Sequence, residues 1–217
     1  MAFLETSRTS TYSGDPEFAF EPRTPAIDGV QTVAFFPAAA EIYGQGERSG
    51  NHYKVEFGAV RIYRLLADGR RQISAFHLAG EVFGFEAHAT HQFFAEAICA
   101  TGLRVLRRSS RPDDVAGELL PMALQSLVRA QGHLLVLGRQ SAVERVAAFL
   151  AEMSERQGDL RNIELPMPRI DIADYLGLTI ETVSRVFTKL RQQGIIRLTG
   201  LRNVEVLKWQ ALQDMIV

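Results

Sequence analysis

"YLGLTIETVSRVFTKLRQQGIIRLTG", residues 175–200, asks one short helix to carry two incompatible faces between two glycines. Thr179 offers the side-chain oxygen that a helix start needs, and Gly194 the left-handed residue that ends one, so a helix is predicted up to Gln193. Upstream, "RIDIADYLG" predicts a first helix ending near Leu176, with Gly177 making the turn. At about 100° per residue, Val183, Val186, Phe187 and Leu190 gather on one side of the second helix. Glu181, Ser184, Arg185 and Thr188 gather on the other. The apolar side belongs in a core.

The polar side sets an acceptor, a hydroxyl and a forked donor near a helix N-terminus, where a major groove is read. Arg185 has the geometry to donate two hydrogen bonds to guanine O6 and N7. Glu181 can accept from the exocyclic amine of cytosine or adenine, and Ser184 can meet a base edge or a thymine methyl. Lys189, Arg191 and Arg202 would hold phosphates, which sets register without reading sequence. After Gly194, "IIRLTGLRNVEVL" predicts two short strands around Thr199–Gly200, the wing of a winged helix-turn-helix. The competing reading is a small helical domain whose solvent face is merely polar. Turn spacing, local charge and the wing argue against it.

The net charge of −1 hides that local charge. Residues 169–208 hold seven Lys/Arg against four Asp/Glu, a balance of +3, so the C-terminal piece is the basic one. With 217 residues, 47% of them apolar, the chain is long enough to bury a sizeable core.

Upstream of the basic module, "SAVERVAAFLAEMSERQG" opens with Ser141 and Glu144 at capping-box spacing and closes at Gly158. "DLRNIELPMP" reads as a loop leading into the basic module. Before these, "DDVAGELLPMALQSLVRAQGHLLVLG" has a helical period, and Leu120, Leu124, Leu127, Gln131 and Leu134 follow at alternating steps of four and three. Leu119, Met122, Leu135 and Val136 form a second strip beside this seam. Two strips suggest two partners, a roll of this chain on one side and a second copy on the other, so a homodimer is expected. Pro121 implies a kink or a start later than Asp113.

Residues 31–112 carry short β-branched and aromatic runs broken by glycines, with Asp68–Gly69 as a hairpin turn at positive φ, which predicts an antiparallel β-roll. Residues 1–30 read as an N-terminal arm. The fold class is therefore α+β: an arm over 1–30, a sensor-like β-roll over 31–112, a dimerisation helix over 113–138, and a winged helix-turn-helix over 139–217.

Cys99 is the single cysteine, so no intrachain disulfide and no four-thiolate cluster can form from one chain. Its apolar surroundings read as a buried, inert thiol. The N-terminus has neither a basic start before an apolar core nor an 18-residue apolar stretch, which predicts a cytoplasmic protein without a membrane partner. Glu86, His88, His91 and Glu96 have poor spacing for a metal and read as loop residues with solvated histidines; His77 reads as a packed strand histidine rather than a haem ligand. No nucleophile–base pair, phosphate-cradling glycine loop or paired-carboxylate signature occurs, so no enzyme is expected.

The order of roll, long helix and winged motif, with "GLTIETVSRVFTKLRQQGII", resembles the CRP/FNR family of bacterial transcription regulators across nearly the whole chain. "IETVSR" is similar to the FNR and FixK branch, in which the Glu, Ser and Arg read a TTGAT-type half-site. CRP itself carries Arg and Gly where this chain has Ile180 and Ser184. The resemblance implies that Glu181, Ser184 and Arg185 read an inverted repeat of that type, with Ile180 against a thymine methyl and Thr188 and Lys189 on the same face. It also implies a homodimer on double-stranded DNA, meeting RNA polymerase as an activator.

In the cyclic-AMP-binding members, the Gly-Glu of the roll is followed by an Arg-Ser pair that grips the phosphate. Here Gly80 and Glu81 are followed by His91 and Gln92, which supply no permanent cation. The cysteine cluster of oxygen-sensing members has no counterpart before Cys99. The resemblance is therefore to the FixK-like branch, without a cofactor, in control of low-oxygen, respiratory or nitrogen-fixation genes. The alternative is a family member gated by a small molecule or haem in the roll.

Overall fold

The structure, a computed structural model, describes residues 33–106, 112–138, 141–158 and 160–216, with 112–118 by backbone alone. The expected arm over 1–30 and the inter-helix boundary at 139–140 lie outside the described residues.

The N-terminal half is built of β1 (Val33–Phe36), β2 (Glu41–Tyr43), β3 (His52–Phe57), β4 (Ala59–Leu65), β5 (Arg71–Leu78), β6 (Val82–Phe83), β7 (Phe94–Ala97) and β8 (Thr101–Leu106). They form two antiparallel sheets in the orders β1-β8-β3-β6 and β2-β7-β4-β5, facing each other as a roll. Val55, Val60, Ile62, Phe83, Ala95 and Leu103 fill the space between them. The step from β3 to β4 depends on Gly58 at φ +84, because a Cβ there would lie 2.5 Å from the Ala100 carbonyl oxygen. In the β4–β5 hairpin Gly69 alone takes positive φ. Asp68, expected there too, keeps negative φ and instead accepts from the Arg70 amide at 3.0 Å.

A long helix follows, α1 (Pro112–Leu137), and runs through Pro121. Its start is one residue before Asp113 rather than later, with Pro112 at the first helical position, where a missing N–H costs nothing. The seam residues Leu120, Leu124, Leu127, Gln131 and Leu134 are exposed along one side, Leu127 at 54%. Leu119, Met122 and Val136 are half-buried, as the second strip requires. Leu135 is exposed, contrary to its expected place in that strip; seven residues after Val128, it continues the seam side. On the buried side Arg129 Nη1 meets Glu81 of the roll at 2.6 Å, and the His133 ring stacks at 3.8 Å on Tyr175.

The C-terminal half contains α2 (Ala142–Arg156), β9 (Asn162–Glu164), α3 (Arg169–Leu176), α4 (Ile180–Gln192), β10 (Ile196–Leu198), β11 (Asn203–Val206) and α5 (Trp209–Gln213). Ser141 caps α2 by accepting from the Glu144 amide at 3.1 Å. The stretch read as a loop holds β9, which pairs with β11 so that Ile163 faces Val204. Three residues are too few to show a period, and only the pairing makes them a strand. One apolar core gathers Val146, Phe149, Leu150, Ile172, Leu176, Val183 and Leu190 and continues without a break into Ile73, Phe76 and Leu78 of β5. The helical half therefore stands directly on the roll.

Candidate nucleic-acid interface

The local chain chemistry sets α3 and α4 at a turn. Gly177 ends α3 at φ 61, and both its amide and that of Leu178 bond to the Ala173 carbonyl. Thr179, extended at φ −92 and ψ 154, then starts α4 and accepts from the Thr182 amide at 3.2 Å. At the far end Gly194, at φ 64, turns the chain into the wing.

Val183, Val186, Phe187 and Leu190 are buried beneath α4, as the spacing requires. Ile180, Glu181, Ser184, Arg185, Thr188 and Lys189 are all exposed and lie on one side, in two rows four residues apart. Arg185 Nε donates weakly to the Glu181 carbonyl at 3.4 Å, and the Thr188 hydroxyl donates to the Ser184 carbonyl at 3.0 Å. The Glu181 carboxyl is held below its ordinary pKa by its own backbone amide and then by the Thr179 hydroxyl, so it stands as an acceptor. Arg191 and Arg202, assigned to phosphates, are exposed; Leu201 at the wing tip is 102% exposed. Arg197 on β10 pairs across the ladder with Glu205 at 3.1 Å.

Arg169, counted in the sequence only as charge, proves to be a support. Its guanidinium lies 3.1 Å from the centroid of the Phe187 ring, and its Nη1 makes no hydrogen bond. Burial pushes its pKa down to about 10, which leaves it charged at neutral pH and stacked under α4. Phe187 is 18 positions away in sequence, and no local pattern links the two.

The roll residues singled out for ligand chemistry are differently disposed. Glu81 is engaged by protein: it accepts from Arg156 at 2.9 and 3.1 Å and from Arg129 at 2.6 Å, and its Oε2 accepts from the Leu78 amide at 3.1 Å. Burial alone would raise its pKa, but Arg156 leads a set of charges that bring it below the ordinary value. His91, read as a solvated loop histidine, is 2% exposed and stacks at 3.6 Å on Tyr43, with Nδ1 3.3 Å from Glu86. The alternation of a short loop does not reveal a ring tucked under a distant strand. His88 is exposed, and Glu96 lies apart on β7, paired with Arg61. Among the described residues no group of three or more His, Cys, Asp or Glu is placed to hold a metal ion. His77 is a buried residue of β5, its ring stacked on Phe83, and burial pushes its pKa down to about 4.

Comparison with known proteins bears on both halves. Residues 33–111 match the cyclic nucleotide-binding domain model and residues 144–215 the Crp-like helix-turn-helix domain model. The chain is 53% identical over 189 residues to the nitrogen fixation regulation protein FixK of Rhizobium meliloti, covering 87% of this chain and 89% of that protein. It is 42% identical to the FixK of Azorhizobium caulinodans, over 86% of this chain and 80% of that one. Among solved structures, FixK2 from Bradyrhizobium japonicum superposes with a TM-score of 0.80 at 45% identity, covering 86% of this chain and 97% of that one. A roll, a long helix and a winged motif in this order, with that likeness over most of both chains, place the protein in the CRP/FNR family of transcription regulators, in its FixK branch.

Proposed function

We propose that this FixK-type regulator acts as a homodimer that reads a TTGAT-like inverted repeat and activates transcription with RNA polymerase, in control of low-oxygen, respiratory or nitrogen-fixation genes. The observation that carries the reading is the exposed row of Glu181, Ser184 and Arg185 on α4, over a buried face that leaves them no partner in the core. Glu181 and Arg185 would read base edges with Ser184 between them; Ile180 would pack on a thymine methyl, and Thr188 and Lys189 would extend the contact toward phosphates. The exposed seam of Leu120, Leu124, Leu127, Gln131 and Leu134 is the surface for the second copy, and two-fold symmetry matches half-sites about one helical turn apart. In this reading the roll (31–112) is sensor-like, 113–138 the dimerisation helix, 139–217 the DNA-binding part, and 1–30 an arm.

The same reading has the protein work in the cytoplasm, without catalysis and without cyclic AMP or an iron–sulfur cluster. Glu81 is held by two arginines, and a buried cyclic phosphate would lack a permanent counter-charge at His91 and Gln92. The test is a selection of bound oligonucleotides from a random pool, with no effector added and salt held constant. An enriched inverted repeat of TTGAT type is expected, and Leu127→Asp should yield monomers in sedimentation that select no repeat. Enrichment only when nucleotide is supplied, or in haem-loaded protein, would favour the ligand-gated alternative.

A further inference from the structure

The back of the helix-turn-helix is held by charge. Asp171 and Asp174 stand one turn apart on the side of α3 that faces the roll. Asp171 is fully buried, and its carboxylate is gripped from two directions: Oδ2 accepts from Arg61 Nη1 of β4 at 2.7 Å, and Oδ1 from Arg71 Nη2 of β5 at 2.5 Å. Asp174 Oδ2 accepts from the same guanidinium, from Arg71 Nε at 3.1 Å and from Nη2, which it shares with Asp171, at 2.9 Å. Arg61 is shared with Glu96, and the Arg71 guanidinium lies 5.5 Å from the Tyr63 ring centroid. Gln72 Nε2 donates to the Asp174 carbonyl at 2.7 Å, and Arg145 Nη1 of α2 to that of Leu176 at 3.0 Å. These are carbonyls of the last turn of α3, which have no partner within the helix.

Apolar contact between Ile73, Phe76 and the helices would permit sliding, because dispersion and burial are not directional. A carboxylate bonded at both oxygens by guanidinium groups from two strands permits none, since each bond has a narrow range of distance and angle. Buried ion pairs are weak sources of stability and are best attested as devices that select one arrangement. The side chains on the reading face of α4 stay exposed and take no part in this contact, so the contact grips the motif without covering them.

We propose that Arg61 and Arg71, with Asp171 and Asp174, form a positioning clamp that holds the two reading helices of a dimer at one separation, and so replaces the ordering that a bound effector would otherwise supply. The inference rests on the effector-free dimer proposed above. The clamp fixes the angle of each motif on its own roll, and the dimer seam fixes one roll on the other. The separation of the two α4 helices is then set with no ligand.

The test compares wild type with Arg71→Gln on three DNA sets: a single half-site, the full inverted repeat, and repeats whose centre is lengthened or shortened by one or two base pairs. The half-site affinity should change less than about twofold, because no residue of the reading face is altered. Affinity for the full repeat should fall about tenfold if the released motif spends about a tenth of its time in the competent orientation. The preference for one spacing should flatten, which loss of stability alone would not produce. Asp174→Asn attacks the same pair from its half-exposed side and serves where Arg71→Gln does not fold. A variant that sediments as a dimer, binds the full repeat as tightly as wild type and keeps its spacing preference overturns the clamp. Should wild type bind only with added nucleotide, the effector-free reading falls and with it the replacement of an effector, and the same spacing series run with that nucleotide decides whether the clamp still sets the separation.

Discussion

Two helices of one motif put similar side chains to opposite uses. α3 turns Asp171 and Asp174 inward, onto arginines of the roll; α4 turns Glu181 and Arg185 outward, to solvent. The chemistry is the same, carboxylate and guanidinium, and burial decides the outcome. A charge taken from water must be matched within the protein, so Asp171 is committed to its two arginines. Glu181 and Arg185 keep their hydration, and the loose 3.4 Å contact of Arg185 with the Glu181 carbonyl is easily given up for a better partner. One helix is anchored by its charges, and the other has its charges to offer.

The largest effect is expected where the inward set is cut. Asp171→Ala removes the carboxylate shared by Arg61 and Arg71, but Arg61 keeps Glu96 and Arg71 keeps Asp174. Breaking a buried pair typically costs about 3–5 kcal/mol, and these remaining partners place the loss toward the lower end. Urea unfolding measures it. A loss as small as that of an exposed pair would show that the inward charges do not differ from the outward ones.

The outward set should respond in the reverse way. Arg185→Ala is expected to leave unfolding and circular dichroism unchanged while reducing discrimination between the repeat and scrambled DNA by about 1–3 kcal/mol. Competition gel shifts at one salt concentration read the effect. Unaltered discrimination would remove Arg185 from the reading face.

The contrast also explains what could be read from the sequence. The helix boundaries of the motif, the Thr179 cap, the Gly177 turn and the division of α4 into faces all follow from residues within four positions of one another. The exposed seam of α1 follows in the same way. The clamp joins positions 100 or more apart, Arg71 to Asp171 and Arg61 to Asp171, and each side looks like an ordinary surface charge in its own segment. Arg169 under Phe187, His91 under Tyr43 and β9 beside β11 escape local patterns for that reason. Leu135 departs from its expected strip although the pattern around it is local, because two apolar strips that touch cannot be separated by hydropathy alone.

A pH titration separates the buried junction from the exposed face. His77 is pushed down to about 4 by burial, with Arg156 and Arg129 assisting and Glu81 opposing. Its unfolded value is near 6.5, so between about pH 6.5 and 4 the unfolded chain binds a proton that the native state refuses, and stability falls as the pH drops. At pH 5 the loss from His77 is about 2 kcal/mol. His133, lowered by burial as well, adds to the slope, so His77→Gln should shallow the decline from pH 7 to 5 without abolishing it. An unchanged slope in that variant would show that His77 titrates alike in the folded and unfolded chain, so that burial does not shift it.

The smallest effect tests α4 from its own N-terminus. The Thr179 hydroxyl satisfies the Thr182 amide and helps hold the Glu181 carboxyl below its usual pKa, yet no hydrogen bond joins it to the proposed clamp or to the side chain of Arg185. Replacing a threonine N-cap by alanine costs about 1 kcal/mol, because an amide of the first turn loses its partner. Thr179→Ala should lower the unfolding free energy measured in urea by that amount and raise the Glu181 pKa. Discrimination between the repeat and scrambled DNA should not change, since the Arg185 side chain lies more than a turn further along the helix. Thr179→Ser keeps the oxygen and should restore both stability and the Glu181 pKa. If serine fails to restore them, the methyl group rather than the cap supplies the effect, and the start of α4 depends on packing as the inward face does.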